Sequence, residues 1–207
     1  MTFENFVLVF CNGISQSKAR LESLLPKPSL VACADGGASI AISLGYKPDF
    51  IVGDLDSLDP GLGNLQNTKI VKVESQNDTD LEKTLDFLLG KGCDHFMVTA
   101  FSGGRIDHTL ANIEIACAFS RKCTIVLADE SYILFPVTER YEGEVPPGTT
   151  ISVIATEDET VVTTTGLFYK LDHERLAKGG RGISNYSVNG QVGVEVHRGT
   201  VLVMLNV

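Results

Sequence analysis

Blocks of consecutive lysine or arginine are absent from this chain, and acidic side chains outnumber basic ones by 26 to 17, for a formal net charge of −9. The electrostatic footprint of a nucleic-acid binder is therefore missing, and no nucleic-acid partner is expected. No run approaches the roughly 18 to 20 consecutive apolar residues that cross a bilayer, so no membrane association is expected either. The amino-terminal residues place no basic segment before their short apolar run, which does not read as a secretory signal and leaves cytoplasmic residence as the default. Cys11, Cys33, Cys93, Cys117 and Cys123 include no Cys-x-x-Cys pair. Odd in number and set in or beside apolar runs, they read as buried reduced thiols rather than a disulfide framework. Neither Gly-x-x-x-x-Gly-Lys-Ser/Thr nor Gly-x-Gly-x-x-Gly occurs, which sets aside ordinary P-loop and dinucleotide readings. A Gly-x-Ser-x-Gly elbow is also missing and the four histidines are scattered, so a serine or cysteine nucleophile has no support.

What remains is an ordinary globular composition, 43% apolar and 21% charged over 207 residues, enough for one or two domains. The first part alternates short apolar, β-prone runs with helical patterns. Strands are predicted at 6–11, 30–34, 50–52, 69–73, 95–100 and 124–128, and helices at 18–25, 38–44, 80–89 and 109–120. Such alternation implies crossover connections and a parallel, Rossmann-like α/β domain over residues 1–130. Beyond about Asp129 the runs become rich in β-branched residues at 150–155, 160–165, 192–196 and 200–205. Asn189-Gly190 is predicted to close a hairpin between 183–188 and 192–196, with another turn at His197-Arg-Gly199. An all-β sandwich over residues 131–207 is the expected second domain.

Four acidic motifs follow apolar runs in the first domain: Asp35-Gly36-Gly37, Gly53-Asp-Leu-Asp-Ser57, Asp78-Thr-Asp80 and Gly103-Gly-Arg-Ile-Asp-His108. Parallel strands gather such loops along one edge of the sheet, where ligands bind. Clustered carboxylates repel unless a cation or proton neutralises them, which points to a divalent metal. In an extended segment Asp54 and Asp56, at i and i+2, face the same side, and their hard oxygens suit magnesium beside substrate phosphates. An ordinary polar turn is the plain alternative. Thr79 with Glu82 forms a capping-box pattern that places Asp80 in the first helical turn, near Lys83 and Thr84; capping alone would also explain Asp78 and Asp80. Gly103 and Gly104 permit close backbone approach, and Arg105 can fork onto phosphate oxygens, with Asp107 either its ion-pair partner or part of the chemistry. His108 is open to three readings: orienting the loop, stacking, or opening the next helix.

The combination resembles the thiamine pyrophosphokinase family. It is carried by Ala34-Asp-Gly-Gly-Ala38, Gly53-Asp-Leu-Asp-Ser57, Thr79-Asp80 with Lys83, and Gly104-Arg-Ile-Asp-His108, and beyond them by Thr165-Gly-Leu-Phe-Tyr169 and Arg181-Gly-Ile-Ser-Asn185. The resemblance implies an ATP-binding catalytic domain, a thiamine-binding and dimerisation domain, and a homodimer with sites between subunits. It implies transfer of pyrophosphate from ATP to thiamine with magnesium. By motif, Asp54, Asp56 and Asp80 would hold the metal, and Lys83 and Arg105 would neutralise phosphate oxygens. Asp107 would face the thiamine hydroxyl, whose proton it could accept, or the metal. Asp35, Gly36, Gly37, Thr79, Gly104 and His108 would complete the ATP site, and Tyr169, Ser184 and Asn185 the thiamine pocket. One departure stands out: the family pattern Asp-x-Thr-Asp has Asn77 at its first position here. Either Asp78 substitutes through a local shift or Asn77 supplies a neutral ligand. Two rival readings stand beside this one: a phosphatase of the haloacid dehalogenase kind with Asp54 as nucleophile, and a thiamine or nucleotide sensor that binds without turnover.

Overall fold

The structure is a computed structural model that describes residues 5–24, 27–57, 59, 61, 65–75 and 77–206. The chain divides into two compact units, one built on Thr2–Ile115 and Lys122–Glu130, the other on Ala116–Arg121 and Ser131–Val207.

In the first unit, strands and helices alternate as β1 (Val7–Phe10), α1 (Lys18–Leu24), β2 (Leu30–Ala34), α2 (Gly37–Ser43), β3 (Phe50–Gly53), β4 (Lys69–Lys72), α3 (Asp80–Leu89), β5 (His95–Thr99), α4 (Ile106–Phe119) and β6 (Thr124–Ala128). Parallel pairings set the strand order β6-β5-β1-β2-β3-β4. β1 is buried along its whole length, and β2, β5 and β6 are buried after their first residue, as a sheet covered on both faces requires. β4 lies at the end of this order, where the exposed Lys69 and Lys72 discourage pairing with another chain. The chain winds outward from β1 to β4 and then returns to β5 on the other side of β1. The β1/β5 boundary is thus a topological switch point, and the carboxyl ends of these strands border a crevice.

The second unit is antiparallel: β7 (Tyr132–Val137), β8 (Arg140–Glu144), β9 (Thr150–Ala155), β10 (Thr160–Thr165), β11 (Glu174–Leu176), β12 (Asn185–Tyr186), β13 (Gln191–Arg198) and β14 (Val201–Asn206). One set runs β12-β9-β14-β7 and the other β11-β10-β13-β8. Burial alternates along β9 and β10, and the inward residues of both sets, among them Ile151, Val153, Val162, Val194, Val201 and Val203, form one apolar cluster. At about 25 cal/mol per Å2 of apolar surface removed from water, such a cluster is the main stabilising term of the unit.

Three local expectations change. Asn189-Gly190 does not close a hairpin: β12 pairs with β9, whereas β13 pairs with β8 and β10. The turn instead carries the chain from one sheet to the other, with Gly190 at φ +86° and its carbonyl accepting from Val145 N at 2.9 Å. Of the strand expected at 183–188, only Asn185–Tyr186 is a strand. Finally, α4 begins at Ile106, so Asp107 and His108 occupy its first turn rather than the loop before it.

Candidate active site

The loops after β1, β2, β3 and β5 and the start of α3 enclose a cavity of about 600 Å3 in the first unit. Asp35, Gly36, Asp54, Thr79, Asp80, Lys83, Gly104, Arg105 and His108, all expected in the site, line it, and so does Asp78.

Asp35 follows β2 in a left-handed conformation, φ +40°, and Leu55 between the two aspartates of the next loop has φ +70°. Non-glycine residues in this region carry strain of about 1 to 3 kcal/mol, and such positions gather where function holds them. At Leu55 the consequence is specific. Asp54 and Asp56 do not face one side by strand alternation, because the segment is no longer extended; a left-handed turn folds it so that Asp56 N donates to Asp54 Oδ1 at 3.3 Å. One oxygen each of Asp35, Asp54 and Asp56 then lie within 4.8 Å of one another. Asp35 is 2% exposed; its Oδ2 accepts from Ser57 N at 3.0 Å, while its Oδ1 is buried without a hydrogen-bond partner. Burial pushes the Asp35 carboxyl above the ordinary carboxylate range, against the Ser57 hydrogen bond, and the charges of Asp80, Asp56 and Asp54 add to the rise. Gly53 permits this convergence: a Cβ there would fall 2.8 Å from Asp35 Cβ and 3.1 Å from Asp80 Oδ1.

The capping box at the start of α3 forms as the sequence predicts. Thr79 Oγ1 accepts from Glu82 N, and Glu82 Oε2 from Thr79 N. The first turn is thereby fixed, and Lys83 Nζ sits 3.0 Å from Asp80 Oδ1 and 3.8 Å from Asp54 Oδ2 with a side chain only 4% exposed. Burial lowers the Lys83 pKa, but the hydrogen bond and charge of Asp80, with Asp54 and Asp35 behind them, outweigh it and hold the ammonium above its ordinary value. In the segment that departs from the family pattern, Asp78 lines the cavity with its Oδ2 accepting from Ser75 Oγ at 2.6 Å, while Asn77 is exposed.

Arg105 precedes α4, whose first backbone bond runs from Thr109 N to Arg105 O. Its guanidinium grips Asp107 through Nε at 3.1 Å and through Nη2 in a shorter contact. Both side chains are well exposed, and the Arg105 hydrogen bond holds the Asp107 carboxyl down to about 2. Asp56, Gly37 and Asp107 are not among the cavity-lining residues.

Sequence reading missed the loop after β1. Cys11, Asn12, Gly13 and Ile14 line the cavity, as do Phe101 and Asn112. The available signal was Asn12-Gly13 directly after a fully apolar strand. Burial, then the charge of Asp80, pushes the Cys11 thiol up to about 12, so it is not a nucleophile at neutral pH.

In the second unit, Asn185 is 5% exposed, and its amide is committed to the backbone of Tyr169: Oδ1 accepts from Tyr169 N at 3.0 Å and Nδ2 donates to Tyr169 O at 2.7 Å. Ser184, exposed at φ +55°, receives no comparable packing. The Asn185 clamp instead displays aromatic rings: Phe168 stacks on Tyr186 with centroids 4.7 Å apart and meets Tyr169 edge-on at 4.9 Å. The sequence reading gave Phe168 and Tyr186 no role in the site.

A family model described as "Thiamin pyrophosphokinase, catalytic domain" matches residues 21–127, and another, "Thiamin pyrophosphokinase, vitamin B1 binding domain", matches residues 136–201. The chain belongs to the thiamin pyrophosphokinase family. Among relatives of this family, Thiamine pyrophosphokinase 2 of Oryza sativa subsp. japonica is 32% identical, covering 71% of this chain and 66% of its own length. Thiamine pyrophosphokinase 1 of the same plant is 29% identical over 81% of this chain and 75% of its own. Among solved structures, the thiamine pyrophosphokinase of Bacillus subtilis superposes with a TM-score of 0.83 at 22% identity, covering 98% of this chain and 99% of that one. The Candida albicans thiamin pyrophosphokinase gives 0.80 at 20% identity over 97% and 89%. These two superpositions speak for the fold.

Proposed function

We propose that the chain transfers the terminal pyrophosphoryl group of ATP to the hydroxyethyl oxygen of thiamine, giving thiamine diphosphate and AMP. The observation that carries this reading is the match of both family domains, the catalytic one spanning the loops that bring Asp35, Asp54, Asp80 and Lys83 into one cavity. In finer terms we take residues 1–130 as a Rossmann-like, ATP-binding catalytic domain and 131–207 as a β-sandwich for thiamine binding and dimerisation.

The donor set fits a hard divalent cation. Three carboxylates offer oxygens within 4.8 Å, and one of these residues buries an oxygen that nothing else satisfies. Asp54 and Asp56 with Asp35 would hold magnesium, and Asp80 would join through the oxygen not engaged by Lys83. When bound, the ion neutralises charge on the phosphate oxygens. Phosphoryl-type transfer needs positioning and charge neutralisation rather than a covalent protein intermediate. Lys83, buried and cationic, draws the phosphates toward the carboxylates. Arg105, steadied by Asp107 through Nε and Nη2, would present its remaining guanidinium nitrogen to an oxygen of the pyrophosphoryl group in transfer, with AMP as the leaving group. With a carboxyl at about 2, Asp107 is too weak a base to take the hydroxyl proton, and we assign it to holding Arg105.

The exposed rings of Phe168, Tyr169 and Tyr186, 53%, 65% and 37% exposed, support a thiamine-facing or subunit-facing role for that surface. A homodimer is our reading of the assembly, to be tested by sedimentation: a fully active monomer counts against a shared site. Among the described residues no helix is long and apolar enough to cross a membrane. All five cysteines are thiols, and we place the enzyme in the reducing cytoplasm. The deciding assay is AMP formation from ATP that depends on thiamine; phosphate release from simple phosphoesters without it would favour a phosphatase, and binding without turnover a sensor.

A further inference from the structure

The loops after β1 and β5 run side by side and are fastened to each other. Cys11 N donates to Thr99 O at 2.9 Å, and Gly13 N to Ala100 O and Ile14 N to Ser102 O, each at 2.7 Å. No side chain fits between them at Gly13, where an added Cβ would fall 2.2 Å from Ser102 O and 2.5 Å from Ala100 O. α4 adds a further hold, from Asn112 Nδ2 to Phe101 O at 2.8 Å. The carbonyls of Ala100, Phe101 and Ser102 are thus bonded in succession. Ala100 has φ +51°, a strained conformation for alanine that persists only where its surroundings hold it. The segment then passes through Gly103 and Gly104, both at positive φ, to Arg105. Two glycines give the chain freedom, so the place of Arg105 depends on what fixes the residues before them. Its bond to Asp107, two residues on, is local and does not set where the turn itself sits.

The far end of this fastening is a side chain outside the cavity. Gln16 is 3% exposed, and its Nε2 donates to Thr99 Oγ1 and to Ala128 O, both at 2.9 Å. Thr99 and Ala128 are register partners at the carboxyl ends of β5 and β6, so one amide from the β1 loop ties two strand ends together. Because a carbonyl can only accept, the bond to Ala128 fixes the NH2 group there and leaves Oε1 elsewhere, buried without a hydrogen-bond partner. An unsatisfied buried oxygen is destabilising, so the fold gains nothing from an amide here except the two bonds. No other chemistry serves both acceptors: a carboxylate only accepts, an apolar side chain leaves both unpaired, and a lysine would bury a charge. The end of β6 holds the same two loops a second time, through Ser17 N to Glu130 Oε2 at 3.0 Å and through Ser102 Oγ to Asp129 Oδ2.

We infer that Gln16 is a positioning residue for Arg105. By tying the β1 loop to the ends of β5 and β6, it holds the β5 loop where the guanidinium meets the phosphates. The inference rests on the proposed reaction for the role of Arg105.

The test uses the full chain with Gln16→Met and Thr99→Val, each alone and combined with Arg105→Ala. With Arg105 present, Gln16→Met is expected to lower kcat/KM for ATP about tenfold and Thr99→Val about threefold, with the KM for thiamine within about twofold. In the Arg105→Ala background both should change kcat/KM by less than about twofold, because a group that acts through Arg105 has nothing left to position. The fall in urea midpoint should be equal in the two backgrounds, since Gln16 packs alike in both. A tenfold loss of about the same size without Arg105 would make Gln16 a support of the fold alone and overturn the proposal. Wild-type kinetics in Thr99→Val would show that the bond to β5 carries nothing, and would overturn it too. The same cycle is read by calorimetry of inorganic tripolyphosphate with magnesium, where Gln16→Met should weaken binding about fivefold only when Arg105 is present. Unchanged tripolyphosphate affinity in Gln16→Met would count against the positioning role whatever the reaction. If the wild type formed no thiamine-dependent AMP but the binding cycle showed the coupling, the positioning role would stand and the reaction would fall.

Discussion

Lys83 shows how one residue type acquires its role from its neighbours. A lysine in a helix is ordinarily a solvated cation, but this one is 4% exposed and bonded to Asp80, with Asp54 close by. Removing one partner of a buried pair leaves uncompensated charge, at a cost of about 3 to 5 kcal/mol when both are buried. The partly exposed carboxylates reduce that here. Lys83→Met is expected to lower unfolding stability by about 1 to 3 kcal/mol in urea and to reduce kcat at least about 100-fold. Near-normal turnover would remove Lys83 from the phosphate site. Asp107 makes the opposite point: both of its oxygens are engaged by Arg105. Its folded pKa is depressed, so its favourable contribution is complete above the ordinary carboxylate value and fades as pH falls toward about 2. Nothing at Asp107 titrates between about pH 5 and about pH 9, and Asp107→Asn should lower activity without moving either limb of the pH–rate profile over that span. Loss of an acid limb in the variant would restore Asp107 as the base. The pairing of Arg105 with Asp107 was among the sequence readings because they are two residues apart. The turn at Leu55 was not, since nothing in Asp-Leu-Asp announces a left-handed leucine.

Among the helices, the start of α3 was the most legible and that of α4 the least. Thr79 and Glu82 satisfy each other's backbone, a signal that needs only four residues of sequence. Thr79→Ala should cost about 1 kcal/mol of stability in denaturant unfolding. Because the same turn carries Asp80 and Lys83, activity should fall further than stability predicts; an unchanged kcat would show that the turn holds without its cap. α4 has no such opening. Gly103-Gly104 reads as loop, and the apolar residues that follow are spread around the helix, so no stripe marks its start and Ile106 and Leu110 remain exposed. In the second unit the Asn189-Gly190 signal was real as a turn and misleading as a hairpin. A turn residue dictates local backbone, whereas strand pairing depends on which face must be buried, and here β12 joins β9 while β13 joins β8 and β10.

For the molecule as a whole, a ligand that binds only the folded state adds RT ln(1 + [L]/Kd), about 2.7 kcal/mol at a hundredfold excess over Kd. For a chain of this length that raises Tm by about 5 to 10 °C. A nonhydrolysable ATP analogue with magnesium is expected to give a shift of this size in a thermal scan, and EDTA to remove most of it, because carboxylates and phosphates repel without the cation. A shift that survives chelation would argue against metal-bridged binding at the Asp35, Asp54 and Asp56 cluster.

The sequence by itself determined the alternation of strands and helices, the change to β-branched runs after Asp129, and the acidic motifs at strand ends. Each of these is a local pattern, set by side-chain periodicity and by which residues can cap or turn a chain. Tertiary structure decided the rest. It set β1 between β2 and β5, which brought an unremarked Asn-Gly-Ile loop against Gly103. It buried Asp35 with an unpaired oxygen beside Asp54 and Asp56, and it tied Asn185 to Tyr169. Those relations join residues far apart in sequence, and they exist only once strand order and burial are fixed by the whole core.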